Sequence, residues 1–248
     1  MRDGADDISQ RTAAIVATVG VVVTLVGVGI AVLCGAPPDL AHAGDATSVA
    51  AKVTAAGGLF RVAVLGWVVS IIGDVVRAWA LYVFFRGVNK SIAMLAAWWM
   101  LLHDAVFGFA LVGLVAASEV ASSTGAFSGL PTDLTRPWVT MLVEANGYGF
   151  NIGLIFFSLH LLLNGYLAMV SGYVPKVLGA LLVIAFLGYF VSAGANVLLR
   201  DPPTIINKVV TLPNTVGELA LIVWLAFKGG RTRPEGAAAA AAGPVGLR

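Results

Sequence analysis

GYGFNIGLIFFSLHLLLNGYLAMVSGYVPK, residues 147–176, decides how the rest of the chain is read. From Gly147 to Val170 no residue carries a formal charge, and the segment has the length a helix needs to cross the hydrocarbon core of a bilayer. It is not uniformly apolar. His160 sits near its middle, Asn151 and Asn164 lie on either side, and Tyr148 marks the interfacial end. A titratable side chain in lipid is costly, so His160 is expected to face other helices or a small polar cavity. This helix is therefore expected to be one wall of a bundle.

The flanking sequence supplies the other walls. Apolar runs at about 12–34, 59–85, 91–115, 177–199 and 210–227 bring the expected total to six spans, an all-α polytopic transmembrane bundle occupying residues 12–230. Composition agrees: 59% of the residues are hydrophobic and 11% charged, against roughly 25% charged in a soluble domain. Residues 1–11 form a short polar leader, and 231–248 an Ala/Gly-rich tail expected to be disordered. Ala41-His42-Ala43 resembles a small-x-small cleavage site. The run before it is too long for a signal-peptide core and the leader carries Asp3, Asp6 and Asp7, so 12–34 is expected to be retained as a span.

Connections alternate in length. Residues 86–90 and 171–176 are tight hairpins, whereas 35–58, 116–137 and 200–209 are longer and rich in Gly, Ala, Ser, Thr or Pro. Nine of the fifteen lysines and arginines fall on the side of the termini and hairpins, which predicts cytoplasmic termini and a multi-pass protein of the plasma membrane. Only the outer side then has enough chain to form an entrance. The partners expected are the lipid bilayer and a small or amphiphilic ligand. The net charge of +2, with no basic segment interleaved with aromatics, sets nucleic acid aside. Cys34 stands alone, which excludes an intrachain disulfide and a cysteine-based metal site. Nothing in the sequence indicates an oligomeric state.

Counting depth along the spans gathers the chemistry. At about 1.5 Å per residue, Asp74, His103, His160 and Glu218 all fall near the bilayer midplane on four different helices. Asp74 and Arg77, spaced i, i+3, share a face and are expected to pair. His160, Glu218 and Asp74 are the candidate catalytic groups. Arg77, His103, Asp104, Tyr148, Asn151 and Asn164 are the candidate pocket lining. His103 and Asp104, about 100° apart on a helix, are not expected to face the same point.

Three readings compete. The favoured one is a midplane polar pocket that binds, senses or transports its ligand from the outer side, although small size and the lack of an inverted repeat count against transport. An enzyme would need His160 beside a carboxylate, with Glu218 the expected neighbour; imidazole, with an unperturbed pKa of about 6.5, exchanges protons near neutrality. A structural subunit would have every polar group satisfied by another. No cofactor is expected. Haem or a metal held by His103 and His160 is an alternative, and two histidines are a weak signature for it.

The pattern Phe60-Arg61, Asp74, Leu81-Tyr82, Val88-Asn89, Gly147-Tyr148, Ile152-Gly153, Phe156-Phe157, His160, Gly165-Tyr166-Leu167, Ser171-Gly172, Pro175, Leu178-Gly179, Gly188-Tyr189, Gly217-Glu218 and Trp224-Leu225 resembles domain-of-unknown-function family 4386. The likeness covers about residues 10–230 and is densest at 147–199. It implies a six-helix bacterial membrane protein without an established activity, with Asp74, His160 and Glu218 at family positions. His103 departs from the pattern, which weakens a bis-histidine cofactor shared with the family.

Overall fold

A computed structural model describes residues 8–42, 46–123, 127–199 and 217–230. Among them the chain is all helical. The elements are α1 (Gln10–Leu33), α2 (Ala46–Ala56), α3 (Gly58–Phe85), α4 (Lys90–Ala121), α5 (Thr132–Val170), α6 (Lys176–Leu198) and α7 (217–228), with a 3-10 turn at Leu40–His42. Five of them, α1, α3, α4, α5 and α6, are long and apolar enough to cross a membrane. The leader to residue 7, the first part of the expected sixth span and the Ala/Gly tail lie outside the described residues.

Local chemistry sets the helix starts. Ser9 and Asn89 cap α1 and α4, each side-chain oxygen accepting from the backbone N–H three residues on, at 3.1 Å. Pro175 precedes α6 with φ already at −56°, and Gly172 turns the preceding hairpin at φ +76°, a conformation that favours glycine. Three boundaries differ from the sequence reading. Residues 46–56 are a helix rather than loop, because Val49, Ala50 and Val53 form a short buried stripe that packs against the bundle. α4 runs on to Ala121 through a good helix-forming stretch, AASEVA. α5 begins at Thr132, so its 39 residues reach about 58 Å, longer than a bilayer core is thick.

α1 and α3 lie closest. Gly20, Gly27 and Ala31 of α1 meet Gly66, Ser70 and Gly73 of α3, and a Cβ added at Gly73 would come within 2.6 Å of the Gly20 carbonyl oxygen and the Thr24 nitrogen. Between lipid-solvated helices no hydrophobic force drives association, so small residues that admit backbone-to-backbone packing supply the contact. α3 then packs on α4, α4 on α5 and α5 on α6. α7 closes the ring: Gly217 sits against the Leu181 backbone of α6, and Gly229, just past its end, against Ala14 of α1.

Arg11, in the first turn of α1, donates to the carbonyls of Leu225, Ala226 and Gly229 at 3.0, 2.8 and 3.1 Å. It satisfies the orphan carbonyls at the end of α7 and complements its dipole. The start of α1 and the end of α7 therefore share one end of the bundle. The outward faces are apolar, with Leu33, Phe109, Val177 and Leu198 prominently exposed, the distribution of a bundle solvated by lipid rather than water.

Inside, two apolar clusters stack along the axis. One, around Phe84, Phe85, Leu167 and Leu225, lies at the hairpin end; the other, around Phe60, Trp67, Phe107 and Val139, lies towards the long connections. Asp74, Arg77, His103, Asp104 and His160, all buried, occupy the layer between them.

Candidate functional site

Six helices deliver side chains to that layer. Arg77 of α3 is its centre. Its Nη2 lies 3.0 Å from Asp74 Oδ1 one turn earlier, and its Nη1 lies 3.6 Å from Glu218 Oε2 of α7. Thr24 Oγ1 of α1 donates to the same Asp74 oxygen at 3.0 Å, and the Tyr189 hydroxyl of α6 reaches Glu218. The guanidinium also lies over the Phe157 ring of α5, 5.5 Å from its centroid, and contacts Met100 Sδ at 3.7 Å. A guanidinium, two carboxylates, two hydroxyls and an aromatic face thus form one knot joining α1, α3, α5, α6 and α7.

The second group sits beside it. His103 and Asp104 of α4 are both buried, at 6% and 4% exposure, and His103 Nε2 is 4.0 Å from Asp104 Oδ1. The expectation that one of the two points elsewhere is corrected. α4 is flanked by α3 and α5, so a wide arc of its surface is interior and neighbours 100° apart both face inward. One donor atom from each of Asp74, His103 and Asp104 lies within 4.8 Å of the other two. Yet neither Asp104 oxygen has a hydrogen-bond partner among the described residues. Gly153 of α5 makes room for the imidazole: a Cβ there would stand 2.9 Å from His103 Nδ1.

His160 is placed differently from its expected pairing. Its Nδ1 is 2.8 Å from the Ala96 carbonyl oxygen, which can only accept, so Nδ1 carries the proton. Asn164 donates to the His160 carbonyl at 2.9 Å and sits 3.3 Å from the ring nitrogens. Glu218 goes to Arg77 instead. Depth placed His160 and Glu218 at one level, but their azimuths differ.

Phe157 is the residue that sequence reasoning passed over. Its ring packs on His103 (5.5 Å), His160 (6.0 Å) and Tyr189 (5.2 Å) as well as beneath Arg77. Both imidazoles therefore pack on one phenyl ring. Its only sequence signal was its place in the Phe156-Phe157 pair; nothing in composition marks an aromatic as a hub.

The remaining candidates lie apart. Asn151 donates to the Gly147 carbonyl at 2.8 Å and accepts from Asn196 of α6 at 2.9 Å, a polar tie between α5 and α6. Tyr148 is 47% exposed on the outer surface. At the end with the long connections, Arg61 pairs with Glu119, and a cavity of about 340 Å³ is lined by Arg61, Val53, Thr54 and Ser118 among others.

The arrangement is a polar layer inside a ring of helices whose outward faces are apolar. The model of the domain of unknown function DUF4386 matches residues 15–229. The chain belongs to the DUF4386 family. It is similar to an uncharacterized protein of Archaeoglobus fulgidus, 32% identical over 166 residues that cover 67% of this chain and 83% of that one. No solved structure matches this DUF4386 protein. The match includes every residue of the Arg77 knot, from Thr24 to Glu218, and the His103–Asp104 pair with it.

Proposed function

We propose that this DUF4386 protein is a membrane-embedded binding protein, a sensor or a carrier, whose small ligand presents a positive or hydrogen-donating group to Asp104 and His103. The observation that carries the reading is Asp104: a carboxylate at 4% exposure with both oxygens unpartnered. Buried polar groups are almost always hydrogen-bonded, and an orphaned one is a feature to be explained. A structural polar layer has no use for it. The Arg77 knot alone would tie the helices together.

Six passes with both termini in the cytoplasm complete the proposal. The meeting of Arg11 with the end of α7 supports it, as does the excess of basic residues on the hairpin side. The cavity at the opposite end supports entry from outside. It lies roughly 20 Å from Asp74 along α3 at 1.5 Å per residue, so it serves as an antechamber rather than the site.

The enzyme alternative moves with the geometry: its imidazole and carboxylate are His103 and Asp104, 4.0 Å apart, rather than His160 and Glu218. Mass spectrometry of small molecules co-purifying with wild type and with Asp104→Asn tests the binding reading. A ligand present in the first and depleted in the second is expected. Identical complements, together with unchanged thermal stability, would sink it.

A further inference from the structure

The charges of the polar layer do not balance. Among the described residues in the middle of the bundle, Asp74, Asp104 and Glu218 are acidic and Arg77 alone is basic, leaving a formal charge of −2 with both histidines neutral. An uncompensated charge in an apolar interior is expensive, and Arg77 is already shared between two of the carboxylates. What completes the layer, a proton or a bound cation, brings positive charge to the third.

We infer that Asp74, His103 and Asp104 form a binding site for a divalent metal cation, which makes such an ion the ligand of the binding reading above. Three observations converge. Their donor atoms already lie within 4.8 Å of one another, at 8%, 6% and 4% residue exposure. Asp104 is oriented into this group with neither oxygen engaged, so no protein hydrogen bond has to break for it to ligate. With all three carboxylates ionised, as metal ligation requires of Asp74 and Asp104, a charge of +2 brings the layer to neutrality, whereas a monovalent cation leaves it negative.

The donor set narrows the ion. One imidazole and two carboxylates, with no thiolate, suit Mn²⁺, Fe²⁺ or Zn²⁺ rather than Cu⁺. With bonds of 2.0–2.2 Å, tetrahedral donors stand about 3.4 Å apart, so no separation has to close by more than roughly 1.4 Å. The Asp104 carboxylate, held by no hydrogen bond, is free to turn towards such an ion. Asp74 stays fixed, because Thr24 and Arg77 both hold its Oδ1, the kind of outer partner that orients a metal ligand. His160 takes no part: it lies outside the group of converging donor atoms, with Nδ1 donating to the Ala96 carbonyl and Asn164 Nδ2 3.3 Å from Nε2.

The test uses the full-length protein in detergent, stripped with EDTA and titrated with Mn²⁺, the free ion being followed by electron paramagnetic resonance. The expected result is one saturable Mn²⁺ per chain and a melting temperature that rises with Mn²⁺, since an ion that binds only the folded state stabilises it. Asp104→Asn and His103→Gln are each expected to weaken binding at least tenfold, and His160→Gln to leave it unchanged. Should Asp104→Asn fail to fold, His103→Gln alone carries the comparison. Overturning results are an absence of saturable binding of both Mn²⁺ and Zn²⁺ to wild type, or wild-type affinity in the folded variants. If no metal binds but Asp104→Asn still depletes a co-purifying molecule, the cation falls and the binding reading stands; if neither changes, both fall.

Discussion

The Arg77 knot and the His103–Asp104 pair lie in the same layer, touch the same phenyl ring or its neighbours, and are both largely screened from solvent, yet their carboxylates are opposites in hydrogen bonding. Around Arg77 each carboxylate has found a donor: Asp74 has the guanidinium and Thr24, and Glu218 has the guanidinium and Tyr189. Beside it Asp104 has found none. Buried polar groups that satisfy one another hold helices in register, and that is all they need to do. A carboxylate left open in the same surroundings raises the free energy of the fold, and proteins keep such residues where a ligand needs them. The difference separates scaffold from site more sharply than depth or residue type does.

Replacing the centre of the knot breaks the comparison hardest. Arg77→Met leaves Asp74 and Glu218 without their shared cation, and removing one partner of a buried ion pair costs about 3–5 kcal/mol. The expected outcome is loss of the monodisperse folded protein on size exclusion and a collapsed melting temperature. Partial recovery on adding Glu218→Gln would assign the damage to the orphaned charge rather than to packing.

Phe157 belongs to both regions, and Phe157→Ala is expected to be milder. The cavity penalty of about 24 cal/mol per Å³ over roughly 100 Å³ gives about 2 kcal/mol, with little transfer term to add in a lipid-solvated bundle. The fold should survive, with the layer loosened. A melting temperature equal to that of wild type would show that the ring is not the hub its contacts describe.

Asp104→Asn sharpens the contrast because its sign is reversed. In metal-free protein it removes an unpaired buried charge, so it is expected to stabilise the fold by about 1 kcal/mol while impairing binding, the trade found at functional sites. Asp74→Asn, one helix away, is expected to destabilise. Equal and downward shifts from the two would place Asp104 in the scaffold after all.

Depth along each helix was readable from the sequence, and azimuth was not. Five long apolar segments, the tight hairpins and the level of Asp74, His103, His160 and Glu218 follow from hydropathy and a fixed rise per residue. Which way each side chain points depends on which neighbours a helix acquires, and periodicity carries little of that when every face is apolar. Asp74 and Arg77 could be joined because i, i+3 fixes their relative azimuth on one helix. His160 and Glu218, on different helices, could not. The same limit hid Thr24 and Phe157: a threonine and a phenylalanine in an apolar run look like any others until α1 and α5 are seen against α3. The helix at 46–56 was missed for another reason, since three buried residues in an Ala-rich stretch leave a pattern too short to stand out from a loop.

His160→Gln is the smallest effect and the one that separates the two regions most directly. His160 stands beside the knot, stacked on Phe157, but its polar contacts among the described residues are the Ala96 carbonyl and Asn164 rather than any carboxylate. Its role in this geometry is a hydrogen bond from α5 to α4. Glutamine retains an N–H donor at similar reach, so the bond is expected to survive in weakened form, a loss of about 1 kcal/mol or less, the size of one net hydrogen bond. His160→Leu removes the donor and leaves a buried carbonyl without its side-chain partner, and the loss should be visibly larger in a melting curve. Neither change touches the charge of the layer, so Mn²⁺ binding and any co-purifying molecule are expected to match wild type. A His160→Gln protein that folds normally but loses either one would move the functional centre from His103 and Asp104 to His160, and the division between scaffold and site drawn above would have to be redrawn around it.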